Sequence, residues 1–283
     1  MQAILIILMV LIISAQNVLR KDYNKKTNDK GTYLFLGILS FTAALSFLIF
    51  SGFSLKLLPE LIPYSLAIAV TYSAANYFPI RAFAIGPLSL SSLIGAFSLV
   101  VPTTFGIVFY GEPISPLYII GAVFLVASIF LTNSTAKGEK KLSFKWALFC
   151  VLGAVCNGVF SVVQSLQQRA FEGLYKNELM FCALLLSSLF FFNMSFVKER
   201  EEIKECIKHS WSAAAVGASS GIGNLFKMIL MSIMNMSLIF PLINAGGIIV
   251  TAVVAVLLYR EKLSMKQYAG IACGVITIIF IGL

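Results

Sequence analysis

Tyr110-Gly-Glu112-Pro-Ile-Ser115-Pro-Leu-Tyr-Ile-Ile-Gly121 returns later in the chain as Tyr259-Arg-Glu261-Lys-Leu-Ser264-Met-Lys-Gln-Tyr-Ala-Gly270. Tyr, Glu, Ser and Gly fall at matching places, with a long apolar segment before each copy and another after it. The chain reads as an internal duplication. Each copy reads as a hairpin between two helices, with Ser115 and Ser264 as N-caps and Pro116 at the first helical position, where a missing N–H costs nothing. The copies differ in charge: the first has no basic residue, whereas the second carries Arg260, Lys262 and Lys266.

Outward from that pair, 59% of the 283 residues are hydrophobic and only 12% are charged, a composition that a soluble core and surface could not keep in solution. The balance predicts an all-α, polytopic membrane protein. A net charge of +9 does not argue for nucleic acid, because the basic residues are scattered among loops and form no dense stripe. Cys150, Cys156, Cys182 and Cys273 lie in apolar segments and Cys206 in a charged loop without a CxxC partner, so neither a disulfide nor a metal site is expected. The stretch from Gln2 to Leu19 has the apolarity of a signal peptide but no basic residues ahead of it, and the duplication needs a first helix there.

With about 20 apolar residues needed to cross a bilayer, the sequence predicts ten spans. They run over 2–19, 32–51, 61–83, 88–110, 115–133, 146–168, 178–197, 211–235, 237–259 and 266–283. Lys and Arg number 5, 1, 4, 4 and 3 at the loops after the first, third, fifth, seventh and ninth spans, the single one being Arg81, whereas the opposite loops hold only Lys56, Arg169 and Lys176. The crowded side is the cytoplasmic one, which puts both termini outside the cytoplasm. Because each copy has an odd number of spans, the two must insert with opposite orientation. The expected fold is two inverted five-helix repeats, 1–134 and 146–283, joined by a cytoplasmic linker at 135–145, around a central cavity near the membrane midplane.

This five-plus-five duplication, the Tyr-x-Glu-x-x-Ser hairpin and a Gly-bearing last span in each half (Gly121, Gly270) resemble the EamA-like ten-helix branch of the drug/metabolite transporter superfamily. The resemblance covers the whole chain and its motifs are architectural. It implies a transporter of a small-molecule substrate, often moved outward, in which helices one to four and six to nine surround the cavity while five and ten lie at the periphery. Small multidrug relatives couple protons through a glutamate in the first helix; here the first span has Ser14, Gln16 and Asn17 and no acid.

Polar side chains inside a bilayer must face protein or a wet cavity, so helical stripes of them mark inward faces. Such stripes nominate Tyr72 and Asn76 in span three, Ser98 in span four, Asn157 and Gln164 in span six, Ser220, Asn224 and Lys227 in span eight, and Asn244 in span nine as substrate-binding residues. Small and polar residues also glue membrane helices together, and Gly217-x-x-x-Gly221 and Gly270-x-x-x-Gly274 read that way. Pro102, and Pro241 with Gly246-Gly247, are expected to interrupt equivalent helices of the two halves. Lys227 is the one charge placed well inside a span: its ammonium either snorkels to the outer interface or meets an anionic group of the substrate. Arg81, at the cytoplasmic end of span three, reads as an interface anchor.

Gly217-Ala-Ser-Ser-Gly221-Ile-Gly223 has glycine spacing like a dinucleotide fingerprint, but it lacks the preceding strand and the ribose-binding acid. No cofactor is expected. All 12 acids fall in loops or at helix ends, and the single histidine, His209, lies in a loop, so no catalytic carboxylate, imidazole or dyad stands at the midplane and the chain does not read as an enzyme. The expected function is a secondary transporter in the cytoplasmic (inner) membrane, moving an amino-acid-like or other anionic or zwitterionic solute outward. A translocator of a lipid- or polyprenol-linked phosphate and a membrane interaction subunit without transport are the alternatives. The lipid bilayer is the surrounding partner, and a homodimer is left open.

Overall fold

The computed structural model describes residues 2–56, 58–110, 116–132, 142–233, 236–260 and 263–282. Among the described residues every regular element is a helix. In chain order these are α1 (Gln2–Lys26), α2 (Thr32–Phe50), α3 (Ile62–Ile85), α4 (Leu88–Ala96), α5 (Val100–Tyr110), α6 (Pro116–Thr132), α7 (Phe144–Ala170), α8 (Lys176–Lys198), the short α9 (Ile203–Cys206), α10 (Trp211–Ile233), α11 (Met236–Tyr259) and α12 (Met265–Gly282). Of the described segments, Thr32–Phe50, Leu88–Gly106, Phe144–Ala170 and Lys176–Lys198 are long and apolar enough to cross a bilayer on length and composition alone. The outside of the bundle is apolar as well: Val70 is 69% exposed and Leu257 72% exposed, a surface that belongs against lipid chains rather than water. The chain is a multi-pass α-helical membrane protein.

Helix ends follow local chemistry. Ser264 caps α12 as expected and closes a capping box, its backbone N–H donating to Gln267 Oε1 at 2.9 Å while Ser264 Oγ accepts from the Gln267 N–H at 3.3 Å. Ser143 caps α7 by accepting from the Lys145 N–H. Ser115 and Glu112 lie outside the described residues, as does Glu261.

Two expectations about helix continuity are corrected. The first helix does not stop at residue 19 but continues to Lys26. Hydropathy marks where apolar side chains stop, whereas the backbone ladder needs only helix formers, and the Asp22–Lys26 ion pair at 2.8 Å supports the added turns. Arg20 therefore belongs to a helix, not a loop. The break near Pro102 is present as the 3₁₀ turn Phe97–Leu99 between α4 and α5, where Pro102 leaves the Ser98 carbonyl without its helical donor. α11, in contrast, runs through Pro241 and Gly246-Gly247 without interruption. Pro241 sits near its start, where one missing bond is tolerated, and Gly246 packs against Val10 of α1 instead of bending.

Cross-helix bonds fix directions. The end of α1 meets the end of α3, through Asn24 Nδ2 donating to the Ile80 carbonyl at 2.6 Å, and the end of α11, through Tyr259 OH donating to the Val18 carbonyl at 3.0 Å. The starts of α4 and α7 meet through Trp146 Nε1 and Ser91 Oγ at 2.8 Å. Elsewhere helices touch through small residues: a side chain at Gly217 would strike Thr42 and the Leu39 carbonyl of α2, one at Gly221 would strike Ser46, and one at Gly274 would strike Leu93 and Ser128. The glycine-spaced stretch of α10 is thus a packing seam. Arg81 reaches across to the Asp29 carbonyl and Thr32 Oγ1, both at 3.5 Å.

The start of α2 is capped from another helix. Gly31, its N-cap, has φ 68°, and a Cβ there would collide with the Tyr23 hydroxyl and Cys206, so the position has no side chain with which to cap. Glu199, just after α8, supplies the carboxylate, accepting from the Tyr33 N–H at 3.0 Å and the Leu34 N–H at 3.1 Å. Desolvation raises the Glu199 pKa above its ordinary value, opposed by those backbone donors. The folded protein thus holds this proton to higher pH than the unfolded chain, and its stabilising contribution is lost as pH rises through the folded pKa. We expect Glu199→Ala to lower stability in detergent by about 1 kcal/mol, the worth of a helix cap. Glu199→Gln should retain the cap and flatten the fall in melting midpoint with rising pH.

Candidate functional site

The polar side chains of the bundle gather between α1, α3, α4 and α10, and α1 holds the middle of that gathering. Gln16, Asn17 and Arg20 lie close together on α1, Gln16 and Arg20 on one face, and their side chains reach three neighbouring helices. Gln16 Nε2 donates to Ser219 Oγ of α10 at 3.2 Å, Asn17 Nδ2 to Ser92 Oγ of α4 at 3.3 Å, and Arg20 Nη2 to Asn76 Oδ1 of α3 at 2.7 Å. Asn76 is itself only 7% exposed and donates from Nδ2 to the Tyr72 carbonyl at 2.9 Å.

Around this core the expected residues divide. Tyr72 is buried, its ring packed edge-on against Phe160 of α7 at 5.7 Å, and its hydroxyl is within hydrogen-bonding reach of Ser220 and Asn76. Tyr72, Asn76 and Ser220 therefore meet. Asn224 stands one turn beyond Ser220 and donates to the Ser220 carbonyl at 2.9 Å. Asn157 and Ser98 form a second pair between α7 and the 3₁₀ turn, with Asn157 Nδ2 donating to Ser98 Oγ at 2.9 Å. Gln164 is not drawn into either group: its Nε2 lies 3.2 Å from Met180 Sδ of α8. The side chains of Lys227 and Asn244 lie outside the described residues.

Gln16, Asn17, Arg20, Ser220 and Asn224 all keep part of their surface accessible although they lie between helices. Such a set of hydroxyls, amides and one guanidinium can solvate an ion or a zwitterion, and it holds no carboxylate or imidazole to move a proton. The contribution of α1 went unseen in the sequence because the first charged residue was read as the end of the span. The available signal was the i, i+4, i+8 spacing of Gln16, Arg20 and Asn24, which continues one stripe across that supposed boundary.

Residues 144–283 match the EamA-like transporter family. No curated protein matches the chain. A solved structure described only as "Crystal structure of protein" is similar with a TM-score of 0.63 at 15% identity, covering 96% of this chain and 95% of that one. At that identity the likeness is one of fold.

Asn76 is the acceptor that answers the Arg20 guanidinium. Replacing it with alanine should lower stability by about 2 kcal/mol, the scale of a hydrogen bond to a charged group. Asn76→Asp, which gives Arg20 a counter-charge, should not lower it; thermal unfolding of the purified protein checks both.

Proposed function

With an EamA-like transporter family domain at residues 144–283 as the premise, we propose that this membrane protein is a secondary transporter of a small polar metabolite. Its substrate is amino-acid-like or another zwitterionic or anionic solute, carried outward across the cytoplasmic membrane by alternating access. In this reading ten transmembrane helices form two inverted five-helix repeats, 1–134 and 146–283, with a cytoplasmic linker at 135–145 and both termini non-cytoplasmic.

One observation carries the reading: each half packs into the other. α3 lies against α7 and α8, and α10 lies against α1 and α2; α4 and α5 lie against α7, and α11 against α1; α2 pairs with α8, and α6 with α12. Exchanging each helix of the first half for its counterpart in the second turns these contacts between the halves into themselves, although the α1–α3 and α11–α12 contacts within the halves have no such counterpart among the described residues. A twofold relation in the membrane plane has that property, and the axis of such a relation is where transporters of this kind hold substrate. The Arg20, Asn76, Tyr72 and Ser220 group lies among α1, α3 and α10, of which the exchange relates α3 to α10, whereas α1 has its counterpart in α7; the α6–α12 pair, joined by Ser128 Oγ donating to the Gly270 carbonyl at 2.7 Å, stands at the periphery.

An acid or histidine inside a span would be needed for a simple proton relay, and the sequence offers none. Substrate itself then biases the rocking equilibrium through its different contacts in the two states, giving facilitated diffusion or exchange. Purified protein in vesicles preloaded with candidate solutes should catalyse counterflow of labelled amino acids or small carboxylates without a pH gradient. A well-folded protein that moves none of them, or moves them only when a pH gradient is imposed, contradicts the reading. A cysteine placed at position 283 should react with an impermeant reagent from the outer side of intact cells only.

A further inference from the structure

Arg20 is a charge inside the bundle without a counter-charge among the described residues. Its Nη2 bonds to a neutral amide, Asn76, and its Nε is sealed from solvent with no hydrogen-bond partner. Among the described residues no carboxylate pairs with it. Its nearest acid in sequence, Asp22, is engaged with Lys26.

The orientation is not that of an anchor. Lys21, the next residue, turns to the Gly86 carbonyl just beyond the end of α3. Arg20 instead points to Asn76, nine residues before that end, which is about 14 Å deeper at 1.5 Å per residue. A long side chain near a helix end would ordinarily snorkel to the interface. This one is held inward, where an unbalanced charge is costly and marks function by default.

We propose that Arg20 recognises the oxyanion of the transported solute, and that this oxyanion is the carboxylate of a small molecule held between α1, α3 and α10. The proposal rests on the transporter reading and adds to it the residue that selects the substrate. Guanidinium is a planar fork of five donors that matches carboxylate geometry and is never deprotonated in proteins. It therefore supplies fixed charge recognition and no proton. The neighbouring groups suit the rest of such a solute: the Tyr72 hydroxyl, Ser220 and the Gln16–Ser219 pair can each donate or accept, so they can meet an ammonium as readily as a hydroxyl. Phe160 beside Tyr72 adds an apolar wall.

The test is binding, which does not depend on transport. The full chain, purified in detergent, is challenged in a thermal-shift assay with a panel of amino acids and small carboxylates, the corresponding uncharged amides, inorganic phosphate, and a polyprenyl phosphate. At least one small carboxylate should stabilise the parent protein while its amide does not. Arg20→Lys, which keeps the charge but loses the fork, should weaken that apparent affinity roughly tenfold to hundredfold, and Arg20→Met should abolish it. Asn193→Ala, an exposed position on α8, should leave it unchanged. Undiminished affinity in Arg20→Met, equal binding of the amides, or no response to any carboxylate overturns the proposal. A response only to polyprenyl phosphate overturns it in favour of a lipid headgroup, and one only to inorganic phosphate replaces the carboxylate with a phosphate. If Arg20→Met does not fold, the loss in Arg20→Lys decides. Carboxylate binding that depends on Arg20, with no flux in vesicles, supports this assignment and counts against the transport reading alone.

Discussion

A bilayer offers no water to its interior, so every polar group placed there must be answered by protein or by an enclosed aqueous space. Many hydroxyls of this bundle meet that constraint by reaching for carbonyls, often on a neighbouring helix. Ser187 Oγ donates to the Ala69 carbonyl at 3.1 Å, Ser188 Oγ to the Gly37 carbonyl at 3.2 Å, and Ser128 Oγ to the Gly270 carbonyl. Each such bond needs two helix backbones close together. That closeness is supplied by Gly37 under Phe192, Gly217 under Thr42 and Gly274 under Leu93. Packing and polarity are thus one device, because the glycine that admits the neighbour also brings its carbonyl within reach.

The same constraint separates seams that are mostly apolar from one that is mostly polar. Along α2–α8 and α6–α12 hydroxyl–carbonyl bonds cross between the helices and apolar side chains fill the remainder, as with Phe35, Leu36, Leu39, Leu184 and Phe191 in one buried cluster, while Ser40 Oγ of α2 and Ser195 Oγ of α8 are buried without a partner among the described residues. Between α1, α3 and α10 the closure is partial: amides and hydroxyls bond in pairs, keep accessible surface, and surround a guanidinium whose Nε has no partner. On the proposed transporter reading, that polar seam is where substrate would bind and about which the halves would rock.

Much of this was legible in the sequence. The all-helical membrane architecture and the placing of Tyr72, Asn76 and Ser220 on helices follow from apolar length and helical spacing, which depend on residue type alone. Ser264 was legible as a cap because a capping box is local chemistry. What was not legible depended on contacts. Arg20 looked like a loop residue because a charge is the signal that ends a hydropathy window, and nothing local says that α3 will present Asn76 to it. Gln164 shares the stripe of Asn157, yet its amide meets a thioether of α8. Pro241 looked equivalent to Pro102, but a proline's effect depends on its place in the helix and on whether neighbouring helices hold that helix straight.

The central claim is that the polar group among α1, α3 and α10 is a substrate site open in turn to each side of the membrane. Side-specific labelling tests this most directly, using a single cysteine at Ser220 in a chain whose native cysteines are replaced by alanine. Sealed right-side-out and inside-out vesicles are each treated with a small membrane-impermeant thiol reagent. The account predicts modification from both sides, slowed in each case by a bound solute. Reaction from neither side, or from one side only under all conditions, would contradict it.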